Sequence, residues 1–297
     1  MKACSLKTSA RRRTGALGVS MMRAALSVCA ILGCVSAAYA GAELVLGVHP
    51  YKPASQLITA YAPLARHLGE KLGQPVAVRI SKDYQAHIDA VGRDAYDFAY
   101  IAPLSYVKMT EQYGPMPLLA RQAIDGNTTF HGKIIVRKDG SIQTLADLKG
   151  KRFAFVEPES TMGYLVPRQM LKEQGVTVQQ LARRRFLGDH ANVALAVLTG
   201  DDDAGAVKED VFFEYEKRGL RAIATSPPFS DHLFVASRKL PADTVQTARD
   251  ALLHLADTPR GKGILQSMTR GVTALAPVSD RDYDTLRTVT RSLGAGE

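Results

Sequence analysis

The stretch Phe153-Ala154-Phe155-Val156-Glu157-Pro158-Glu159-Ser160-Thr161-Met162-Gly163-Tyr164-Leu165-Val166-Pro167 reads as a buried strand, a sharp turn and the start of a helix. Ser160 or Thr161 is a natural N-cap, because its hydroxyl can accept from a free amide of the first turn. The amides that stay free point out of the helix end, which carries a partial positive charge, and that geometry suits an anion. The bland alternative is an ordinary capped helix after an ordinary strand, a junction that α/β proteins contain many times over. The rest of the chain decides between the two.

Upstream, residues 43–48 alternate and are rich in Leu and Val, a first strand. The loop His49-Pro50-Tyr51-Lys52-Pro53 follows. Over residues 55–72, Leu57, Ile58, Tyr61, Leu64, Ala65, Leu68 and Leu72 form a helical stripe. Pro63 inside it marks a kink or the true first turn. A strand at 76–80, a helix at 84–91, a strand at 97–102, a helix at 104–113 and an extended run at 116–123 complete a βαβαβαβ section. A second section follows the turn cluster Gly126-Asn127-Thr128-Thr129. It has strands at 131–137, 153–156, 183–187, 204–207 and 220–225, with helices at 145–150, 160–174, 191–198 and 210–218 between them. Gly175 stops the helix of the opening stretch. Ser226-Pro227-Pro228 is a strong breaker, and 233–237 is an extended run able to pass back to the first section. Helices at 242–256, 261–268 and 280–293 close the chain.

The alternating rhythm implies mainly parallel sheets covered on both faces. Two such sections joined by extended segments near 131–137 and 231–237 give a two-lobed α/β hinge architecture. Residues 41–130 plus 238–297 form lobe 1, and 131–237 form lobe 2. Ligands of open α/β sheets bind beyond the carboxyl ends of strands. The loops there are 48–53, 102–105, 157–163, 188–190 and 208–210.

The chain has 297 residues, 46% apolar and 23% charged, an ordinary globular balance. Residues 1–40 differ: they hold Lys2, Lys7, Arg11, Arg12, Arg13 and Arg23, no acid, and an apolar run ending in Ala38-Tyr39-Ala40. This is the pattern of a secretory signal peptide, with Met21 or Met22 as an alternative start. Ile31-Leu32-Gly33-Cys34 also resembles a lipobox, which would make Cys34 a lipidated N-terminus. Without the leader, the formal charge of +9 falls to about +3, too weak a footprint for nucleic acid. All three cysteines, Cys4, Cys29 and Cys34, lie in the leader. Cleavage after Ala40 therefore excludes disulfides, thiolate metal sites and a cysteine nucleophile.

The run Phe155-x-x-Pro158-x-Ser160-Thr161-x-Gly163-Tyr164-Leu165-Val166-Pro167 resembles the signature of periplasmic phosphate/phosphite/phosphonate-binding receptors of ABC importers. Supporting segments occur in order: Tyr61-x-Pro63-Leu64, Asp97-Phe98-Ala99-Tyr100-Ile101-x-Pro103-Leu104-x-Tyr106, Leu145-Ala146-Asp147-Leu148-Lys149-Gly150-Lys151, His190 before its helix, Asp203-Ala204-Gly205-Ala206-Val207, Ser226-Pro227-Pro228 and Tyr283-Asp284-x-Leu286-Arg287. The resemblance implies a type II periplasmic-binding-protein fold that closes two lobes on a small ligand. It implies ligand contacts from Ser160, Thr161, the Met162 and Gly163 amides, His190, Asp231 beside His232, and the aromatic Tyr51 and Tyr100. One departure stands out. Met162 occupies the place of the family's second serine, so one hydroxyl donor is lost and a flexible apolar side chain is put beside the site. A missing charge-assisted hydrogen bond costs about 1.5–3 kcal/mol, or about one to two decades of affinity. A larger, less charged or less oxyanionic ligand therefore stays open.

Each feature also has a plainer reading. His190 lies at a strand's carboxyl end, where a histidine donates to an anion or switches with pH, or simply neighbours a helix cap. Asp231 suits a ligand that carries a proton or an amine, or else it is turn chemistry after Pro-Pro. Asp201-Asp202-Asp203 lacks the spaced ligands of a calcium loop and reads as a solvated turn. Arg183-Arg184-Arg185 reads as surface charge or a docking patch. The seven histidines show no pair at metal-ligand spacing, and neither a Gly-x-Ser-x-Gly elbow nor a Walker loop occurs.

The expectation is an exported, monomeric solute-binding protein that captures a small oxyanion of the phosphate, phosphite or phosphonate class between its lobes. It would deliver this ligand to an ABC permease in the inner membrane, with no catalytic residue, cofactor or metal. The alternatives are a periplasmic ligand-sensing receptor for a sensor kinase, or an enzyme on the same fold acting on a small metabolite.

Overall fold

The computed structural model describes residues 43–294. The leader, its cleavage site and Cys34 lie outside the described residues. The first half of the chain runs β1 (Leu44–Val48), α1 (Ala54–Leu72), β2 (Val76–Ile80), α2 (Tyr84–Gly92), β3 (Phe98–Ile101), α3 (Pro103–Tyr113) and β4 (Leu118–Ile124). A short β5 (Thr129–Phe130) leads into β6 (Gly132–Arg137), β7 (Arg152–Phe155), α4 (Val166–Glu173), β8 (Arg183–Phe186), α5 (His190–Thr199), β9 (Ala204–Lys208), α6 (Glu209–Tyr215) and β10 (Leu220–Thr225). The chain returns through β11 (Phe229–Ser230) and β12 (Leu233–Ala236), and ends with α7 (Ala242–Leu253), α8 (Pro259–Met268), β13 (Val272–Ala276) and α9 (Asp284–Gly294).

Among the described residues two large sheets form, ordered β2-β1-β3-β12-β4-β13 and β8-β7-β9-β6-β10, beside a two-stranded β5–β11 ladder. Both follow one plan: second strand, first, third, a strand arriving from the crossing, then the next. β1 pairs in parallel with β2 and β3, and β7 with β8 and β9. The inserted strands β12 and β6 run antiparallel to both neighbours. Hence β1, β2, β3 and β4 all point one way, as do β7, β8, β9 and β10. This is the mainly parallel arrangement that helical crossovers generate.

The boundary expected at residue 237 needs moving. Leu233–Ala236 is fully buried between β3 and β4, so it belongs to the first sheet. Four consecutive apolar residues covered on both faces make a central strand and not a hinge. The crossings lie just before β6 and just before β12, where β5 and β11 pair antiparallel through Phe130 and Phe229. β13 was also missed by the sequence reading; it pairs antiparallel with β4 at the sheet edge.

Other local readings need correction. Asp202 is not solvated: it is buried and bound by Arg183 (3.0 Å) and Arg185 (2.6 Å), while Asp203 takes Arg152 at 2.7 Å. Most of the arginine run is therefore spent on the turn before β9. Pro63 lies inside a continuous α1, which starts at Ala54.

Candidate ligand-binding site between the lobes

The opening stretch folds as a strand, a tight turn and a helix, with an unanticipated first turn. Ser160 is the N-cap and its Oγ accepts from the Gly163 amide at 3.0 Å, so the Gly163 amide, expected to contact the ligand, is instead spent on capping the helix. Residues Thr161–Leu165 form a π-turn before α4, with the Leu165 amide reaching the Ser160 carbonyl at 3.1 Å. Such widened turns are frequent at functional sites. Gly163 has no alternative here, because a Cβ would lie 2.4 Å from Val156 Cγ2 and 2.6 Å from Ser160 Oγ.

This helix start meets the first lobe directly. Thr161 Oγ1 accepts from the Leu104 amide at 2.9 Å, which leaves its O–H free to donate. Lys108 pairs with Glu159 at 2.9 Å, and Glu157 accepts from the Tyr84 amide at 3.1 Å. On the other side of the contact, the His190 amide donates to the Tyr51 carbonyl at 3.4 Å and Lys52 pairs with Glu214 at 2.6 Å.

His190 is the first residue of α5, behind the N-cap Asp189. Its Nδ1 accepts from the Lys208 amide at 3.1 Å. Burial first, then the Lys208 charge, holds His190 well below the ordinary histidine value. The ring is therefore neutral and its proton sits on Nε2, a fixed donor. Asp231 is buried and accepts from the amide (2.7 Å) and Nδ1 (2.8 Å) of His232 and from Gln122 Nε2 (3.3 Å). Tyr100 donates to Gln122 Oε1 at 2.7 Å. The Tyr51 hydroxyl is engaged by Tyr61, Thr269 and the Met268 carbonyl. Both tyrosines thus turn their hydroxyls into the first lobe; the Tyr51 ring faces Lys208 of the other lobe, whereas the Tyr100 ring packs on first-lobe residues. Tyr100 stacks on His232 with ring centres 5.3 Å apart.

Met162 does not project freely into this space. Its Sδ lies 3.8 Å from Ser226 Oγ, and a Cβ on Gly132 would come within 3.0 Å of it. The side chain is packed against the two places where the chain changes lobe. Only its backbone stays with the helix start.

The structure adds residues the sequence reading had not singled out. His49 is buried, stacked on Tyr51 at 4.8 Å and on His232 at 4.9 Å, and neither of its ring nitrogens has a hydrogen-bond partner. Lys208 is buried at the carboxyl end of β9, with Nζ 3.1 Å from Asp210 Oδ2 and 3.8 Å from the centre of the Tyr51 ring. Burial alone would raise the Asp210 carboxyl, but Lys208 and Lys52 outweigh it and hold it below the usual range. The signal was present, since the sequence places 48–53 and 208–210 at strand carboxyl ends; the structure makes 208–210 a direct junction of β9 and α6. Among the described residues no group of three or more His, Cys, Asp and Glu could hold a metal ion.

A family described as the periplasmic substrate-binding protein of phosphonate ABC transporters matches residues 46–283. The chain belongs to this family. It is therefore a periplasmic solute-binding component of an ABC transporter and a binding protein, not an enzyme. The chain is similar to the phosphate-import protein PhnD of Mycolicibacterium smegmatis, 25% identical over 85% of this chain and 86% of that protein. It is also similar to the phosphonates-binding periplasmic protein of Escherichia coli, 23% identical over 76% of this chain and 70% of that protein. Among solved structures, PhnD1 of Prochlorococcus marinus, in complex with methylphosphonate, superposes with a TM-score of 0.78. It is 21% identical, over 84% of this chain and 98% of that one. The receptor thus has the type II periplasmic-binding-protein fold that its motifs led us to expect.

Proposed function

We propose that this receptor captures a small phosphorus oxyanion, in the class of phosphate, phosphite and methylphosphonate, where the start of α4 meets the first lobe. The observation that carries the reading is the capped, widened helix start at Ser160–Gly163, whose Thr161 hydroxyl meets the other lobe; the Gly163 amide is held by Ser160, so the Met162 amide is the one we assign to the ligand. The neutral His190 ring supplies a further donor. Asp231 suits a ligand oxygen that retains a proton, which hydrogen phosphate keeps even at two negative charges and a fully ionised methylphosphonate does not. Tyr51 and Tyr100 cover the ligand with their rings. Binding is the whole activity, and closure about the two crossings traps the ligand. The closed receptor, a monomer exported by its leader, then docks on an inner-membrane permease. Cleavage after Ala40 releases it, whereas lipidation at Cys34 would tether it.

Thr161→Ala tests the reading. It removes the hydroxyl that joins the lobes, and each hydrogen bond to a charged oxygen is worth about 1.5–3 kcal/mol. Affinity for methylphosphonate, followed by calorimetry, should fall by about one to two decades while the far-UV spectrum stays unchanged. Unchanged affinity would place the ligand elsewhere.

A further inference from the structure

We propose that Lys208 is the cationic contact for the bound ligand and makes the site prefer a doubly charged oxyanion over a singly charged one. The inference rests on the reading above that the cleft takes a tetrahedral oxyanion. Lys208 ends a strand whose five residues are all buried, and its own side chain is only 4% exposed. Burying an ammonium ion is costly unless charge and hydrogen bonds compensate it. Asp210 supplies one counter-charge at 3.1 Å, and the Tyr51 face lies 3.8 Å away. An ammonium carries three donors, more than one carboxylate at this geometry uses.

The position of this cation is set by the same parts that make the site. The Lys208 amide fixes the His190 tautomer, so the Nε2 proton and the ammonium arrive from one hydrogen-bonded unit. Tyr51, from the opposite lobe, lies against Lys208, and on the same ring stacks His49, whose two nitrogens are buried without partners. Buried polar groups in folded proteins nearly always have a partner. Two under-used polar groups on one tyrosine, from opposite lobes, point to a shared ligand. Met162 brings no donor, since its sulfur faces Ser226 and Gly132. A charged donor makes hydrogen bonds roughly twice as strong as a neutral one, so Lys208 does more than replace a lost hydroxyl. Its attraction grows with ligand charge and is poorly screened in a buried site.

The test compares methylphosphonate with methanesulfonate by calorimetry, above the second ionisation of methylphosphonate. The two anions share a shape and differ by one charge. The wild type should prefer methylphosphonate by about tenfold or more, one decade being about 1.4 kcal/mol. Lys208→Met should lose at least that factor for methylphosphonate and less for methanesulfonate, while Lys208→Arg keeps the preference. Methylphosphonate affinity within about twofold of wild type in Lys208→Met would overturn the role of Lys208 alone. So would a surviving preference in that variant. If Lys208→Met does not fold, Lys208→Arg decides: a preference lost although the charge remains overturns the inference. A wild type that binds neither anion overturns the oxyanion reading and this inference together.

Discussion

At the scale of the residue, the helix start depends on atoms that leave no slack. Gly163 has no room for a Cβ beside Val156 and Ser160. Overpacking of this kind costs about 1–3 kcal/mol, so Gly163→Ala should lower stability by that amount in denaturant titration. A change under about 0.5 kcal/mol would mean that the turn yields freely, as ordinary surface positions do. Ser160 was legible in the sequence because a cap acts locally, on an amide three residues on. His49, Lys208 and Asp210 were not singled out, because their meaning is non-local. A lysine at the end of a strand of small residues looks like a surface residue until the opposite lobe supplies Tyr51. His49 and His232 looked scattered for the same reason: sequence spacing carries no information about stacking between distant segments.

At the scale of the element, periodicity located nearly every helix and strand that forms a sheet centre, and failed where pairing decides. β13 is short and lies on an edge, and the β5–β11 ladder is two residues per strand. The π-turn at Thr161–Leu165 was invisible because one extra residue in the first turn does not disturb the apolar pattern of α4. The acidic turn before β9 was misjudged because its partners lie on β8. Arg183 and Arg185 converge on the buried Asp202. Asp202→Asn should therefore cost about 1–3 kcal/mol, the range for removing a buried partner of charged donors. The arginines are partly exposed, which places the expectation toward the lower end. A denaturation midpoint equal to wild type would show the cluster to be surface charge after all.

At the scale of the molecule, burial gathers neutral histidines in the centre. His49, His190 and His232 are held below the ordinary value mainly by burial, and burial brings His87 down to about 3. The folded, closed form thus resists protonation that the unfolded chain accepts near pH 6.5. Stability from these groups is full above that pH and falls on acidification, by about 1.4 kcal/mol per pH unit for each histidine that titrates. Glu157 acts in the opposite sense. Burial raises it to about 7 from 4.5, so the folded form takes up its proton first and gains stability as pH falls from about 7 to 4.5. Burial raises Asp189 as well and lowers His67, so two carboxyls oppose five imidazoles, and the melting temperature should fall between pH 7 and pH 5.5. A flat or rising melting temperature over that interval would mean that the histidines are hydrated in solution and that the lobes meet less closely. The lobe plan itself was legible from the βα rhythm, except that the return strand β12 belongs to the first sheet because its four residues are buried there.

The central claim is that the contact between the lobes is built for a phosphorus oxyanion, and thermal melting against a small panel tests it most directly. Methylphosphonate, phosphate, phosphite, sulfate and a neutral heterocycle form the panel. A ligand at 100 times its dissociation constant adds about 2.7 kcal/mol, or about 5–10 °C for a domain of this size. The account predicts a shift of that order with at least one of methylphosphonate, phosphate and phosphite, and none with the neutral heterocycle. A shift with the heterocycle and none with any oxyanion would contradict it.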